Sequence, residues 1–588
     1  MPPPCQIAHR PIRKPEVGRQ GYQGFNPRTE YLKEGDRPYG ARAVDCDITV
    51  EHDVEVIVRD GCRLYVDIFR PTNASGPIPA ILSYSPFGKK FSGLCFINDT
   101  KATIAYQLGV TLDDVSGLEK FEALDPSHWC GRGYAIVNVD GRGAGDSDGG
   151  MVIMGSQEGE DGYDVIEAIA KKEWCNGNIG LAGNSHLGIV QWFIAQQQPP
   201  SLKAIAPWEA CSDLYREQFV RGGIFNISNF DFIANNILQG GTGVEDFAEM
   251  YRRTNGGLIN DYWADKRANL KSIKIPAYIT GSEFSGIHGM GSLRGFMELD
   301  TKDKWFRWCG TQEWYDIWAD KESNDDLQGF FDTFLKGENN GWREKTPKVR
   351  VSVLRFGKEE PINDIVVPDF PIPNTDYRTL YMTADSKLTP DVPAPGVVSY
   401  PSQEPGGKVS FSYTFEKQTR IVGLPKAVLY MSCDDHDDFS VSVQLRKCDA
   451  NGKPLKHFTI PFSKTPITDA EDCTPVSTIL IHTGSVGMLR ASHRHFDPSK
   501  SIHPQYPYHT HDRIEKVSPG NVVELQVGIW AMGVQYEKGE SIRVDISASN
   551  PLWLELNAGA LLEGNNGVHK VHLGGEYQSK IILPFVDI

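Results

Sequence analysis

No uninterrupted apolar run in this chain approaches the roughly 18 residues of a membrane span. The start, Met1-Pro2-Pro3-Pro4-Cys5, also lacks the apolar centre of a secretory leader. A cytoplasmic protein with no membrane partner is expected. Clustered basic residues are missing too: 60 Lys and Arg against 76 Asp and Glu leave a net charge of −16. A phosphate backbone needs concentrated positive charge, so nucleic acid is not expected as a partner. Eleven cysteines lie scattered from Cys5 to Cys473 without C-x-x-C spacing. In a chain this long, an odd and unpatterned set argues against a zinc ribbon or a disulfide framework and for buried, reduced thiols. His493-Arg494-His495 and His509-Thr510-His511 have a chelate-like two-residue spacing but no cysteine neighbour, and read as histidines of the β-sandwich rather than as a metal site. Gly143-Ala144-Gly145 lacks the strand–turn–helix setting of a dinucleotide loop. No metal and no cofactor are expected, and there is no internal repeat.

What is present is a soluble-type composition, 40% hydrophobic and 23% charged, in 588 residues. That is too long for one core, so about three domains or subdomains are expected. Residues 1–45, rich in Pro, Arg and Gly, read as an arm lying on the protein's own surface or on a second copy of the chain in a homodimer. Alternating apolar residues over 46–70, around Asp60-Gly61, predict a β-hairpin. Short apolar runs at Ala80–Tyr84, Tyr134–Val139, Ile179–Ala182, Leu202–Ala206 and Ala277–Thr280 then alternate with helical patterns. This rhythm predicts a mostly parallel sheet with helices on both faces, over 46–210 and 271–345. The aromatic-rich interval 211–270 breaks it and reads as an inserted helical cap. Beyond a linker at 336–347, alternation such as Val349/Val351/Val353 and Val523/Leu525/Val527/Ile529 predicts a β-sandwich over 348–588.

The chemistry centres on Gly183-Asn184-Ser185-His186-Leu187-Gly188. It follows the apolar run Ile179–Ala182 and precedes a helix-like run. Strand, tight turn and helix in that order hold a serine in a strained conformation with its Oγ exposed above the sheet. Glycine is required at 183, since a β-carbon there would collide with the helix that follows. The usual pattern is G-x-S-x-G; here the second glycine comes one residue late.

Asp140-Gly-Arg142-Gly143-Ala-Gly-Asp-Ser147, Glu173-Trp174-Cys175-Asn-Gly177, the serine turn, Gln191-Trp192 and Gly539-Glu540-Ser-Ile-Arg543-Val-Asp545 follow one another in a specific order. Together they resemble the cocaine esterase / X-prolyl dipeptidyl aminopeptidase family, nearest to its fungal members. The resemblance implies an α/β-hydrolase domain with a helical cap and a C-terminal β jelly roll. It also implies an acyl-enzyme on Ser185 and a pocket tryptophan at Trp192.

Three positions depart from the family pattern. The loop after the strand at Ala277–Thr280, where the family carries its Asp, reads Gly281-Ser282-Glu283-Phe284-Ser285-Gly286-Ile287-His288. The next loop, where the family carries its His, reads Gly310-Thr311-Gln312-Glu313-Trp314-Tyr315-Asp316. Each loop lacks its own residue and holds one able to play the other's part, so an exchanged triad is expected: Ser185, His288 as base, and Glu313 or Asp316 as the carboxylate that orients it. The third departure is Phe87, in Ser85-Pro86-Phe87-Gly88, where the family has a tyrosine hydroxyl for the oxyanion. The His186 backbone N–H remains, with Ser85 or Tyr84 as further candidates; the His186 side chain is expected to line the pocket. The expected function is hydrolysis of an ester, lactone or amide bond in a small molecule. The alternatives are non-hydrolytic acyl-transfer, proton-transfer or carbon–carbon chemistry on a natural-product intermediate, for which Phe87 and an aromatic cap would provide a water-poor pocket, or a catalytically weak binding protein.

Overall fold

The computed structural model describes residues 5–94, 107–404, 406–465, 467, 479–552 and 560–588. From the N-terminal arm, β1 (Arg28–Leu32) adds an edge strand to an eleven-stranded sheet, antiparallel to β2 (Ile48–Ile57). β2 and β3 (Arg63–Pro71) form the expected hairpin, turning at Gly61 with φ +85°. Next come β4 (Ile78–Ser85), β5 (Ala135–Asp140), β6 (Cys175–Asn184), β7 (Leu202–Trp208), β8 (Ala277–Gly281) and β9 (Lys304–Trp308). They lie in spatial order β5-β4-β6-β7-β8-β9, all parallel. All six residues of β5 are buried, as in a sheet covered on both faces. The chain crosses from β4 to β5 on one side and returns to β6 on the other. Such a reversal opens a crevice beyond the C-terminal strand ends, and the serine turn stands there, at the end of β6. Helices α1 (Ser156–Ala170) and α2 (His186–Ala195) flank β6 in the chain.

The alternating Val349/Val351/Val353 segment, expected to begin the sandwich, instead forms β10 (Val349–Val353), parallel to β9. β11 (Ile362–Val367) follows it antiparallel, completing the same sheet. Alternation specifies a strand with a buried face; it does not say which sheet supplies the hydrogen-bond partner. Here the open edge of β9 does. The β-rich domain therefore takes shape from Asp376–Met382 onward. It has a nine-stranded sheet and a four-stranded sheet, and the latter runs Lys408–Thr414, Ser541–Ser547, Ser440–Cys448, Val486–Arg490. Val441, Val443, Leu445 and Leu429 fill its core.

The 211–270 insert holds three short helices, α3 (Ser228–Asn236), α4 (Phe247–Arg252) and α5 (Asp261–Asp265). Its aromatic side chains pack on one another: Phe219 stacks on Phe247 at 4.1 Å, with Phe230 and Trp263 around them. They are buried in the core that the insert shares with the large sheet rather than lining a greasy pocket. His9–Arg10 of the arm pairs with Val244–Glu245 of the insert, so this part of the arm lies on its own chain. Among the described residues no helix is long and apolar enough to cross a membrane. Cys95 and Cys473 lie outside the described residues; the other nine cysteines are free.

Candidate active site

Ser185 sits between β6 and α2 with φ 54° and ψ −125°, a backbone conformation costing on the order of 1–3 kcal/mol for a residue with a side chain. Surrounding bonds hold it there. Its N–H donates to the Trp208 carbonyl at 3.2 Å, and its carbonyl accepts from Gly188 and Ile189 at 3.0 and 2.8 Å. Gly183 has φ +133°, and a β-carbon there would stand 2.6 Å from Leu187 Cβ, as the sequence pattern requires. The displaced second glycine has its own reason: a β-carbon at Gly188 would meet the Trp208 carbonyl oxygen at 2.6 Å, so α2 can approach the end of β7 only without one. Gly183→Ala is therefore expected to destabilise the fold by about 1–3 kcal/mol through overpacking and a disallowed φ. Chemical denaturation of the variant measures this.

The loops after β8 and β9 bring in the next two groups. His288 caps α6 (Gly289–Glu298), its N–H donating to Ser285 Oγ at 3.2 Å. Its Nε2 lies 3.5 Å from Ser185 Oγ. On the other side of the ring, Nδ1 lies 3.7 Å from Oε2 of Glu313, the first residue of α7 (Glu313–Trp318). Neither of those two atoms has another hydrogen-bond partner. A carboxyl group facing Nδ1 favours the tautomer protonated there and leaves the Nε2 lone pair toward the serine. Asp316 is directed elsewhere: it accepts from Thr311 Oγ1 at 2.5 Å. Of the two carboxylates left open by the sequence, the structure brings Glu313 to His288.

Burial drives this pair toward its uncharged forms. The His288 imidazole is held down to about 3, first by burial and then by the Arg221 charge. The Glu313 carboxyl is pushed up to about 8 by burial, opposed by the Asn184 side chain. The loop carrying His288 is anchored on the β-rich domain. Glu283 pairs with His482 at 3.0 Å and accepts from Gly533 N–H at 2.5 Å, and Phe284 belongs to that domain's core. A cavity of about 90 Å³ lies at this junction, with Phe284, Gly286 and Arg221 among its walls, but neither Ser185 nor His288 lines it.

The remaining sequence candidates fall into different places. The His186 ring is buried and bound to Glu158 Oε1 at 3.0 Å, with the Phe87 ring edge-on at 6.0 Å. It braces the turn from beneath instead of lining an open pocket. Tyr84 is buried, and its hydroxyl accepts from the Arg142 N–H at 3.2 Å. Ser85 Oγ accepts from the Phe87 N–H, closing the turn of its own loop. Trp192, expected near substrate, is fully buried: a β-carbon at Gly295 would touch its ring at 2.6 Å, so it packs under α6. One group was not foreseen. Glu122, in the loop between β4 and β5, is 2% exposed with φ 66°, and its carbonyl accepts from Asn184 N–H at 3.3 Å. Its carboxyl lies beside the Ser185 hydroxyl, the His186 N–H and the Trp314 indole, and is pushed well above the usual carboxylate range by burial and by neighbouring Glu313. No motif or periodicity marks it.

Comparison with known proteins finds two family matches. Residues 60–311 match the X-Pro dipeptidyl-peptidase (S15 family) model, and residues 340–582 match the X-Pro dipeptidyl-peptidase C-terminal non-catalytic domain. A crystal structure of a CocE/NonD family hydrolase from Staphylococcus aureus is 30% identical with a TM-score of 0.81, covering 95% of this chain and 97% of that one. The cocaine esterase of Rhodococcus sp. (strain MB1 Bresler) is 25% identical over 92% of this chain and 100% of its own length. An α-amino acid ester hydrolase shares the fold, with a TM-score of 0.62 at 14% identity, covering 92% of this chain and 97% of that one.

Proposed function

The chain belongs to the CocE/NonD family of hydrolases, and from that premise we propose that Ser185, His288 and Glu313 form its catalytic triad, with base and carboxylate exchanged between the two loops that carry them. It is a serine hydrolase acting on ester or amide bonds. The observation that carries the triad is the contact chain from Ser185 Oγ to His288 Nε2 and from His288 Nδ1 to Glu313 Oε2. Both contacts are longer than good hydrogen bonds, as is usual before substrate binds, and closing them takes less than 1 Å. In the reaction, Ser185 Oγ attacks the carbonyl carbon while His288 Nε2 takes its proton. The same proton then goes to the leaving group, and water releases the acyl group by the reverse route. The substrate is a small-molecule ester, lactone or amide. Free cysteines throughout the described residues support a reducing, cytoplasmic setting. On its sequence motifs we place the chain nearer to fungal members of the family than to the bacterial Staphylococcus and Rhodococcus relatives.

Labelling with a fluorophosphonate probe tests the nucleophile. Covalent modification at Ser185 is expected, and an unlabelled protein would overturn the reading. Glu313 gives a second test. Its ionised form stabilises the imidazolium that forms at His288, so activity is expected to fall as pH drops through about 8, where the raised Glu313 carboxyl takes up its proton. Glu313→Gln should abolish that limb. Its loss in kcat should be one to two orders of magnitude milder than loss of Ser185, roughly as for a triad carboxylate elsewhere. A pH profile of kcat/KM for both proteins reads this directly; an unchanged limb in the variant would mean another group sets it.

A further inference from the structure

We propose that Glu122, as a protonated carboxyl group, donates the second hydrogen bond to the oxyanion, taking the place left empty by Phe87; this rests on Ser185 being the nucleophile. In this fold, the backbone N–H after the nucleophile is one oxyanion donor, and here that is the His186 N–H. A second donor is expected from the loop after β4, where Phe87 has none to offer. Phe87 instead packs edge-on at 5.1 Å against Phe121, the chain neighbour of Glu122. That contact seats the Glu122 loop against the serine turn, and the bond from Asn184 N–H to the Glu122 carbonyl ties the two backbones together. The carboxyl group arrives beside the His186 N–H, the Ser185 hydroxyl and the Trp314 indole, which donate to it, while its Oε2 alone is buried and lacks a hydrogen-bond partner.

The charge state decides what it can do. An ionised carboxylate beside a forming oxyanion would repel it; a neutral one donates. The groups facing Glu122 are Glu313 and Trp314 from α7, Ser185 and the His186 N–H from the turn, and His288 through Ser185. Burial, and after it the neighbouring Glu313 carboxyl, hold the proton on Glu122 and outweigh the Trp314, Ser185 and His186 donors, which favour the ionised form. In the reaction, the Ser185 Oγ–carbon bond forms as the carbonyl π pair moves onto oxygen. That oxygen is held between the His186 N–H and the Glu122 O–H. When the tetrahedral species collapses, the pair returns, the leaving-group bond breaks, and His288 supplies the leaving group's proton. Glu122 keeps its own proton throughout.

The test uses the full-length protein with p-nitrophenyl butyrate as probe ester, comparing wild type, Glu122→Ala and Glu122→Gln, with fluorophosphonate labelling of the wild type alongside. Glu122→Ala is expected to lose about 10²–10³ in kcat with KM little changed, the usual effect of removing one oxyanion donor. Glu122→Gln keeps a donor of the same length that cannot ionise. It should recover about tenfold or more over the alanine variant and lose the alkaline fall in kcat expected of wild type. The proposal is overturned if Glu122→Gln is as slow as Glu122→Ala, since an ionised carboxylate would then be the working form. It is also overturned if Glu122→Ala stays within about threefold of wild type. Should the alanine variant fail to fold, matching alkaline limbs in wild type and Glu122→Gln would overturn it alone. Absence of Ser185 labelling in wild type would instead remove the nucleophile, and with it the Proposed function.

Discussion

Ser185→Ala is expected to lose at least about three orders of magnitude in kcat/KM, with its melting temperature nearly unchanged. The size follows from what remains. Loss of a triad nucleophile leaves only binding and oxyanion donors, which together preserve a residual acceleration of about 10³–10⁴ over water. The His186 N–H at the start of α2 is untouched by the substitution. Alanine can hold the same φ of 54° that serine holds, and the bonds from the residue's backbone to Trp208, Gly188 and Ile189 do not involve Oγ. A steady-state assay with active-site titration measures the loss. Near-normal turnover by the alanine variant would mean that no acyl-enzyme forms at Ser185.

His288→Gln should be almost as damaging. Glutamine can occupy the site and donate, but it cannot take up the serine's proton. Because the two residues act as one unit, the double variant should be little worse than either single one. An independent readout comes from stability. The folded His288 stays neutral down to about 3, whereas in the unfolded chain it charges near 6.5. Between those values the unfolded state binds more protons, so this residue costs stability as pH falls from 6.5 toward 3. Replacing it by glutamine should make the melting temperature less sensitive to acid over that range. A variant at full activity, or melting curves with identical acid dependence, would place His288 outside the buried triad.

What could be read from the sequence divides along physical lines. The serine turn is a local device: Gly183 and Gly188 are needed by contacts only a few residues or one strand away, so the motif carries its own geometry. The proposed exchange of base and carboxylate was legible as a pair of absences, because both loops leave neighbouring strands at the same sheet edge. Choosing Glu313 over Asp316 needed coordinates, since three residues on a short helix turn the side chain from the His288 ring to Thr311. Glu122 was invisible for a different reason. It is placed by a long connection between β4 and β5 and by a left-handed backbone angle, neither of which leaves a periodic trace. Trp192 shows the converse: a residue type suited to a pocket is consumed by close packing against Gly295.

The pairing of β10 with β9 bears on how such proteins can be inherited in parts. Cutting the chain in the 336–347 linker would strip two strands from the hydrolase sheet. It would lay bare the backbone edge beside Trp305, Phe306 and Trp308, a template for adding strands from other molecules. It would also release the loop that presents His288, whose Glu283 and Phe284 are gripped from the other side. A recombination event that swapped the C-terminal half at that linker would yield sticky, baseless fragments. The seam that lineages could exchange without penalty to the sheet lies beyond Val367, so β10 and β11 travel with the nucleophile.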